Sequence, residues 1–482
     1  MSVLVCFSFA GCKEKDNVEV LSKNLTEYNI DLVFDDTDYS MTAHQTVSYY
    51  NNTGSILKNV QFHLYPQFFE EGNENLVVSS TKYNQAYPNG LSFANFNVDR
   101  VVVDNLEQNV EYFGEQQSIL NVKLNSSLMP KERVKIKIDF NFSLGNCLHR
   151  FGYGENTINI CNFYPIACVY ENGGFNTLGY NSNGDPFYSE MANYIVSLQL
   201  DKNFVVATSG TKTDEIQNEK TKTLKFKANL IRDFAIVLSK DFKVISKTIN
   251  DTCVDYFYFN DTNADKSLQA GVDALDVFSK KFGDYPYKNF SIVQADFVYG
   301  GMEYPALIMV SEISNLDDYL NVIIHETAHQ WWYGMVGNDE YTYPWLDEAL
   351  TEYSTILFYD LVDGYNLNHK DMVKSYKENY SLFYTVYTDV LGTLDTSMRA
   401  VDKYSTEPEY TYCIYVKGVL MYESLYSLVG ENSFYKSLKN YFEKNKYKNA
   451  TPNDLIDSFS NTCKKDLTNF FDSWINGKVV IR

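Results

Sequence analysis

From Tyr28 to about Val244 apolar and polar residues alternate in short runs. The first part reads YNIDLVFD, TAHQTVSYYNN, NVQFHLYP, SILNVKLN and VKIKIDFNFSL, and the later part ANYIVSLQLD, FVVATSG, TLKFKAN and DFAIVLS. Alternation sends every second side chain to one face of a strand, and the Asn, Gly and Asp residues between runs supply turns. The pattern predicts an antiparallel β-sandwich. Near residue 265 the period changes. DKSLQAGVDALDVFSKKFG brings Leu268, Val272, Leu275, Phe278 and Phe282 onto one helical face, with Asp265 and Gly283 as start and stop. NFSIVQADF reads as a strand, the glycine pair of YGGMEYP follows, and the rest is mainly helical. In TPNDLIDSF, Thr451 can cap, Pro452 suits the first turn and Asp454 completes a box-like pattern. The expected fold class is α+β multidomain: a β domain at 25–248 and a mixed, helix-rich domain at 249–482, preceded by a leader and tether at 1–24.

Composition narrows the function. A chain of 482 residues has room for two or three domains. With 41 basic and 62 acidic residues the net charge is −21, which repels phosphate backbones and argues against nucleic acid. A cationic ligand would be favoured, although a plain solvated acidic surface gives the same balance. Aromatic content of 16%, including 40 tyrosines, fits a β-rich, outward-facing part.

No apolar run is long enough for a membrane span, which needs ~18 residues. The opening MSVLVCFSFAGCKEKDN resembles the end of a bacterial lipoprotein signal, with Ala10 and Gly11 before Cys12 as the lipid-bearing cysteine. Phe9 stands where leucine is usual and no basic residue precedes the apolar part, so a plain hydrophobic N-terminus is the alternative. The expected location is extracytoplasmic, on a bacterial cell surface, with the cytoplasm as the other reading. Residues 13–24 are polar and read as a tether. Of the other cysteines, Cys161 and Cys168 are close enough to pair or to remain buried thiols. None forms a C-x-x-C pair.

The chemistry is concentrated in NVIIHETAHQWWYG, residues 321–334. On a helix His325 and His329 share a face and can aim two imidazoles at one point. Zinc takes neutral imidazole well, and its catalytic sites use three protein ligands. Glu326 lies beside the pair as a candidate base. An amphipathic helix with paired histidines and no metal is the bland alternative. The following helical run, WLDEALTEYSTILFYDLV, supplies the third ligand: Glu348 comes after His329 with residues 330–347 between them. Asp347 is a rival pointing about 100° away around the helix. Glu352 shares the face of Glu348 one turn later and suits a bond to a ligand histidine.

HETAHQWWYGMVGNDEYTYPWLDEALTEY resembles the active-site segment of the zinc aminopeptidases related to aminopeptidase N and leukotriene hydrolase. GGMEYP, residues 300–305, is similar to that family's G-x-M-E-N signature, and YVKG, residues 415–418, to its Y-x-K-G element. YNIDLVFD and VQFHLYP resemble its N-terminal β domain, and FFDSWINGK the close of its thermolysin-like, mainly helical catalytic domain. A short two-domain form without the C-terminal helical domain of larger relatives is therefore expected.

The resemblance implies a zinc aminopeptidase with one Zn2+ per chain held by His325, His329 and Glu348. It also implies Glu326 as general base, passing its proton to the leaving amine, and Tyr415 as the donor to the developing oxyanion. Zinc would make hydroxide available at neutral pH. Gly300, Gly301, Met302 and Glu303 would bind peptide, with Glu303 taking the terminal ammonium. The expected partners are peptides with a free N-terminus. Tyr304 replaces the usual asparagine. For a second amine-binding side chain in the β domain, Glu155 and Asn156 of GENTINICNFYP are the nearest candidates. A thermolysin-type endopeptidase and a catalytically idle peptide-binding protein are the competing readings.

Overall fold

The computed structural model describes residues 18–73 and 77–481. Cys6, Cys12 and the expected lipid signal lie outside the described residues. Of the expected tether, Ser22 and Lys23 are docked: their carbonyls accept hydrogen bonds from Asn193 Nδ2 (2.8 Å) and Arg133 Nη2 (3.0 Å).

The N-terminal half is built on an eight-stranded sheet. Its strands lie in the order Thr211–Gln217, Thr221–Ile231, Ala192–Asp201, Thr26–Asp35, Ser40–Tyr50, Arg133–Ser143, Asn95–Val103 and Leu106–Gln108. Neighbours are antiparallel except Thr26–Asp35 with Ala192–Asp201, a parallel pair with Tyr28 opposite Tyr194. The alternation is visible in Arg133–Ser143, where Val134, Ile136, Ile138, Phe140 and Phe142 are buried and the residues between them are not. Each such side chain stabilises the fold by roughly 1.5–3 kcal/mol. Two four-stranded sheets share this core: Val205–Thr208, Ile236–Ser239, Ile158–Ile160 and Phe151–Tyr153 form one, and Ile166–Ala167, Leu57–His63, Ile119–Leu128 and Glu111–Phe113 the other. Cys161 and Cys168 are separate buried thiols.

The second half opens on a hairpin, Lys243–Ile249 and Thr252–Tyr258. These strands begin a five-stranded sheet completed by Asn289–Gln294, Leu307–Val310 and, at the edge, Gly301–Met302. The change of sheet thus falls between Ser239 and Lys243, and a boundary after residue 248 cuts through a strand. KVISKTI is almost wholly exposed or half-exposed, so its apolar pattern does not report which sheet it joins.

Helices follow. α1 (Ala264–Lys281) buries Leu268, Val272, Leu275 and Phe278 on the predicted face, and α2 (Leu316–Ala328) packs on it. α3 (Glu348–Leu361) lies against α2, and α4 (His369–Phe383) and α5 (Lys417–Val429) against α3. α6 (Glu431–Asn445), α7 (Pro452–Cys463) and α8 (Thr468–Ile475) close the half. α7 starts with the predicted capping box of Thr451 and Asp454. Among the described residues no helix is long and apolar enough to cross a membrane.

Polar contacts made by Arg232 and Asp296 are among those that join the halves. Arg232 donates through Nε to the Gly334 carbonyl (3.2 Å) and through Nη1 to Asn449 Oδ1 (2.8 Å). Gly337 approaches it so closely that a Cβ there would lie 2.3 Å from Arg232 Cζ. Asp296 accepts from the backbone N–H groups of Asn156 (2.5 Å) and Thr157 (2.9 Å).

Candidate active site

α2 carries His325 on its last turn and His329 at its C-cap. Asn315 caps its start by accepting from Asp318 N, and Asp317 and Asp318 sit at its positive end. Beyond Ala328 the chain is locked by two buried tryptophans: Trp331 Nε1 donates to the Gly283 carbonyl (2.8 Å) and Trp332 Nε1 to Ser354 Oγ (3.0 Å). Gln330 ties the helix end to the glycine-pair segment, accepting from Ala306 N (2.8 Å) and donating to the Tyr304 carbonyl (3.2 Å).

His329 Nδ1 faces the Trp332 carbonyl at 3.0 Å, and a carbonyl only accepts, so Nδ1 carries a proton and Nε2 is the nitrogen left to face a metal. His325 Nδ1 lies 2.6 Å from Glu352 Oε2, an ion-pair contact, and Tyr376 donates to the other oxygen of Glu352. The two Nε2 atoms are 3.1 Å apart, and Glu348 Oε2 is 3.5 Å from that of His325 and 3.2 Å from that of His329. Ligands at ~2.0–2.1 Å around a tetrahedral zinc stand roughly 3.3–3.4 Å from one another. The three edges therefore fit zinc. The charges agree: burial alone would favour neutral His329, but Glu303 and Glu348 raise it to about 10, so this point of the fold favours positive charge.

Other predicted residues gather here. Glu326 is buried with Oε2 unpartnered, and burial pushes its carboxyl up to about 7, against the pull of the two histidines. Gly301 is required by this packing, since a Cβ on it would lie 2.2 Å from Glu326 Oε1. Gly301 pairs with Val310 at the sheet edge, while Gly300 is exposed and its carbonyl accepts from Ser311 N (3.0 Å). Met302 is buried beneath the edge. Glu303 is 3% exposed with Oε1 unpartnered; burial, with neighbouring carboxylates, raises its carboxyl well above the ordinary range. Tyr415 donates to Glu348 Oε1 at 2.5 Å. Asp347 turns away to accept from Asn338 Nδ2 (3.3 Å). Tyr304 also turns from the cleft, and its hydroxyl donates to Asn162 Oδ1 (2.7 Å) in the β half.

Glu155 and Asn156 do not reach this site. Their loop folds onto Asp296, where Asn156 Nδ2 donates to Oδ1 (3.0 Å), and both residues line a different surface hollow. The β half enters the cleft elsewhere, through Arg150 and the loop Tyr180–Asp185. Asp185 and Glu303 each bring a carboxylate oxygen within 4.8 Å of the other and of Glu348. Arg150 Nη2 holds Asp185 Oδ1 at 2.7 Å. Asn183 Nδ2 donates to the Tyr404 carbonyl (2.8 Å), and Gly184 lies so near Tyr410 that a Cβ would sit 2.6 Å from its hydroxyl. Residues 176–191 contain no strand or helix. So long an irregular stretch inside a compact domain is itself a signal of function. The whole cleft has a volume of about 290 Å³.

Paired helices thus present two histidines and a glutamate at zinc-ligand spacing, with a second glutamate beside them. Residues 266–474, most of the second half, match the pattern of the Peptidase family M1 domain. The chain is 28% identical over 221 residues to human endoplasmic reticulum aminopeptidase 2, a match covering 41% of this chain and 21% of the relative. To aminopeptidase N of Lactococcus lactis it is 25% identical over 251 residues, covering 48% of this chain and 29% of the relative. The chain thus spans about a quarter of the length of these relatives. Its fold is that of the M1 zinc metallopeptidase of Deinococcus radiodurans, with a TM-score of 0.66, 15% identity and 95% of both chains covered. A mutant of that protein bound to a Tyr-Ser-Ala substrate superposes equally well, with a TM-score of 0.66 and 14% identity over 95% of both chains.

Proposed function

We propose that the chain is a zinc-dependent aminopeptidase that removes N-terminal residues from peptides. What carries this reading is the bracket of Glu303 and Asp185, carboxylates from the two halves that converge beside the ligand Glu348. A terminal ammonium held between them leaves only the first peptide bond within reach of the histidines. Zinc on His325, His329 and Glu348 would supply an activated water and polarise the scissile carbonyl. Glu326, buried and short of hydrogen-bond partners, accepts the water's proton and delivers it to the leaving amine. The Tyr415 hydroxyl, in contact with Glu348, turns to donate to the carbonyl oxygen as charge builds there. The exposed edge at Gly300 and Gly301 offers backbone groups to an extended peptide. Such an enzyme would stand outside the cytoplasm on a bacterial surface, a location supported by Ala10-Gly11-Cys12. Fatty-acid labelling that persists in Cys12→Ser would exclude that anchor.

The test is cleavage of one peptide series, free and N-acetylated, by the zinc-loaded protein beside Glu326→Gln. Free peptides alone should be cut, with a loss of ~10²–10⁴ in the variant. Equal cleavage of acetylated peptides makes the protein an endopeptidase, and zinc binding without cleavage makes it a peptide-binding protein.

A further inference from the structure

Tyr415 stands in a π-helical turn, Tyr412–Val416, inserted between the short helix Glu407–Thr411 and α5. Such turns re-aim side chains and recur at functional sites. The contacts that set this turn lie outside the cleft. Lys417 is 1% exposed; its Nζ is 2.9 Å from Asp395 Oδ2 and donates to the Asp395 carbonyl at 2.7 Å. Tyr380 donates to the same Oδ2 (2.9 Å). Two residues on, Ser397 Oγ donates to the Cys413 carbonyl (2.7 Å). Residues 395–397 therefore grip the turn on both sides of Tyr415. They are gripped in their turn by the end of α8: Ser397 N and Thr396 Oγ1 donate to the Ile475 carbonyl (2.9 and 2.6 Å). Gly477, at φ +72°, comes so close that a Cβ would lie 2.1 Å from the Asp395 carbonyl oxygen. Across the turn, Gly418 lets α5 approach α3, since its Cβ would lie 2.3 Å from that of Ala349, the neighbour of Glu348.

We propose that Asp395 and Lys417, braced by Ser397 and by Ile475–Gly477, are positioning residues that set where the Tyr415 hydroxyl stands. Neither lines the cleft. A buried ion pair adds little net stability over apolar packing, whereas its directional bonds fix a register. Here that register is the one placing Tyr415 against Glu348. The inference rests on the peptidase reading and extends it to a segment remote from the zinc ligands.

The experiment is a double-mutant cycle on the full zinc-loaded chain: wild type, Tyr415→Phe, Lys417→Met and both together, with kcat, KM, zinc content and Tm measured for each. Tyr415→Phe should cost ~10²–10³ in kcat. Lys417→Met should cost about 10- to 100-fold in kcat, with KM and zinc content kept, because a small misplacement of a catalytic group is enough. The double variant should be no slower than Tyr415→Phe alone. Equal factors in both backgrounds would overturn the proposal, showing a general loss of packing instead. Should Lys417→Met not fold, Ser397→Ala decides in the same cycle, with a few-fold loss expected only where Tyr415 is present. A wild type that cuts no peptide overturns the peptidase reading itself; an active wild type with an unimpaired Lys417→Met overturns only this inference.

Discussion

Four of the six histidines are buried, two in each half, in opposite surroundings. In the β half His63 stacks on Tyr65, and His149 is edged by Phe69, Phe297 and Tyr299. Burial holds His63 down at about 4 and His149 well below its ordinary value, the latter with help from Arg150. The Nδ1 atom of His149 accepts from Arg150 N (2.8 Å), a bond open only to an unprotonated nitrogen. In the second half His325 and His329 are buried as well, yet their carboxylate neighbours reverse the direction. Burial alone therefore does not mark a functional histidine. What marks this pair is the set of carboxyl groups gathered around it: Glu303, Glu326, Glu348, Glu352 and Asp185, with Arg150 as the one guanidinium lining the cleft. Left to itself so much buried charge is costly, and the divalent cation and substrate ammonium proposed above would offset it.

The largest test of this contrast is removal of the cation. Zinc at 100 times its Kd should stabilise the protein by about 2.7 kcal/mol, read as an upward shift of the urea midpoint. Glu348→Ala should abolish both that shift and the activity. A shift that survives in Glu348→Ala would mean that zinc binds elsewhere and that the carboxylates are balanced some other way. A smaller effect is expected at the amine bracket. Asp185→Asn removes one charged hydrogen bond to the ammonium, worth about 1.5–3 kcal/mol. Discrimination between free and acetylated peptides should fall by roughly 10- to 150-fold, while zinc binding stays as in the wild type. Unchanged discrimination would leave Glu303 as the whole anchor.

How much of this was legible in the sequence depended on whether a residue's role is set by spacing along one element or by docking between elements. His325 and Glu326 sit on α2 with His329 at its C-cap, and Glu348 and Glu352 sit on α3, so helical periodicity relates the members of each group, and the packing of α2 on α3 brings their atoms together. Strands such as Ser40–Tyr50 and Arg133–Ser143 announced themselves because one face is buried. Thr211–Gln217 did not, being exposed at every position. Asp185 was illegible for a different reason. It lies in an irregular loop, and only the hold of Tyr404 on Asn183 and of Arg150 on Asp185 brings it to Glu303. The nearer guess, Asn156, was drawn off by Asp296, a partner 140 positions away that no local pattern reveals. Lys417 and Gly418 likewise find their partners in Asp395 and Ala349, outside their own helix.

The smallest prediction tests the β-half side of the contrast. A histidine whose folded pKa lies near 4, below its unfolded value near 6.5, contributes stability that is whole above pH 6.5. As pH falls the unfolded chain takes up the proton first, so the contribution is lost progressively between about pH 6.5 and 4. For His63 this amounts to about 1 kcal/mol between pH 7.5 and 5.5. Urea titrations at those two pH values should show His63→Gln losing less stability on acidification than the wild type by that amount, while His149 keeps its own share in both proteins. A variant with the same pH dependence as the wild type would mean that His63 finds a proton acceptor in the fold. The contrast would then rest on His149 alone, whose backbone partner leaves it no such freedom.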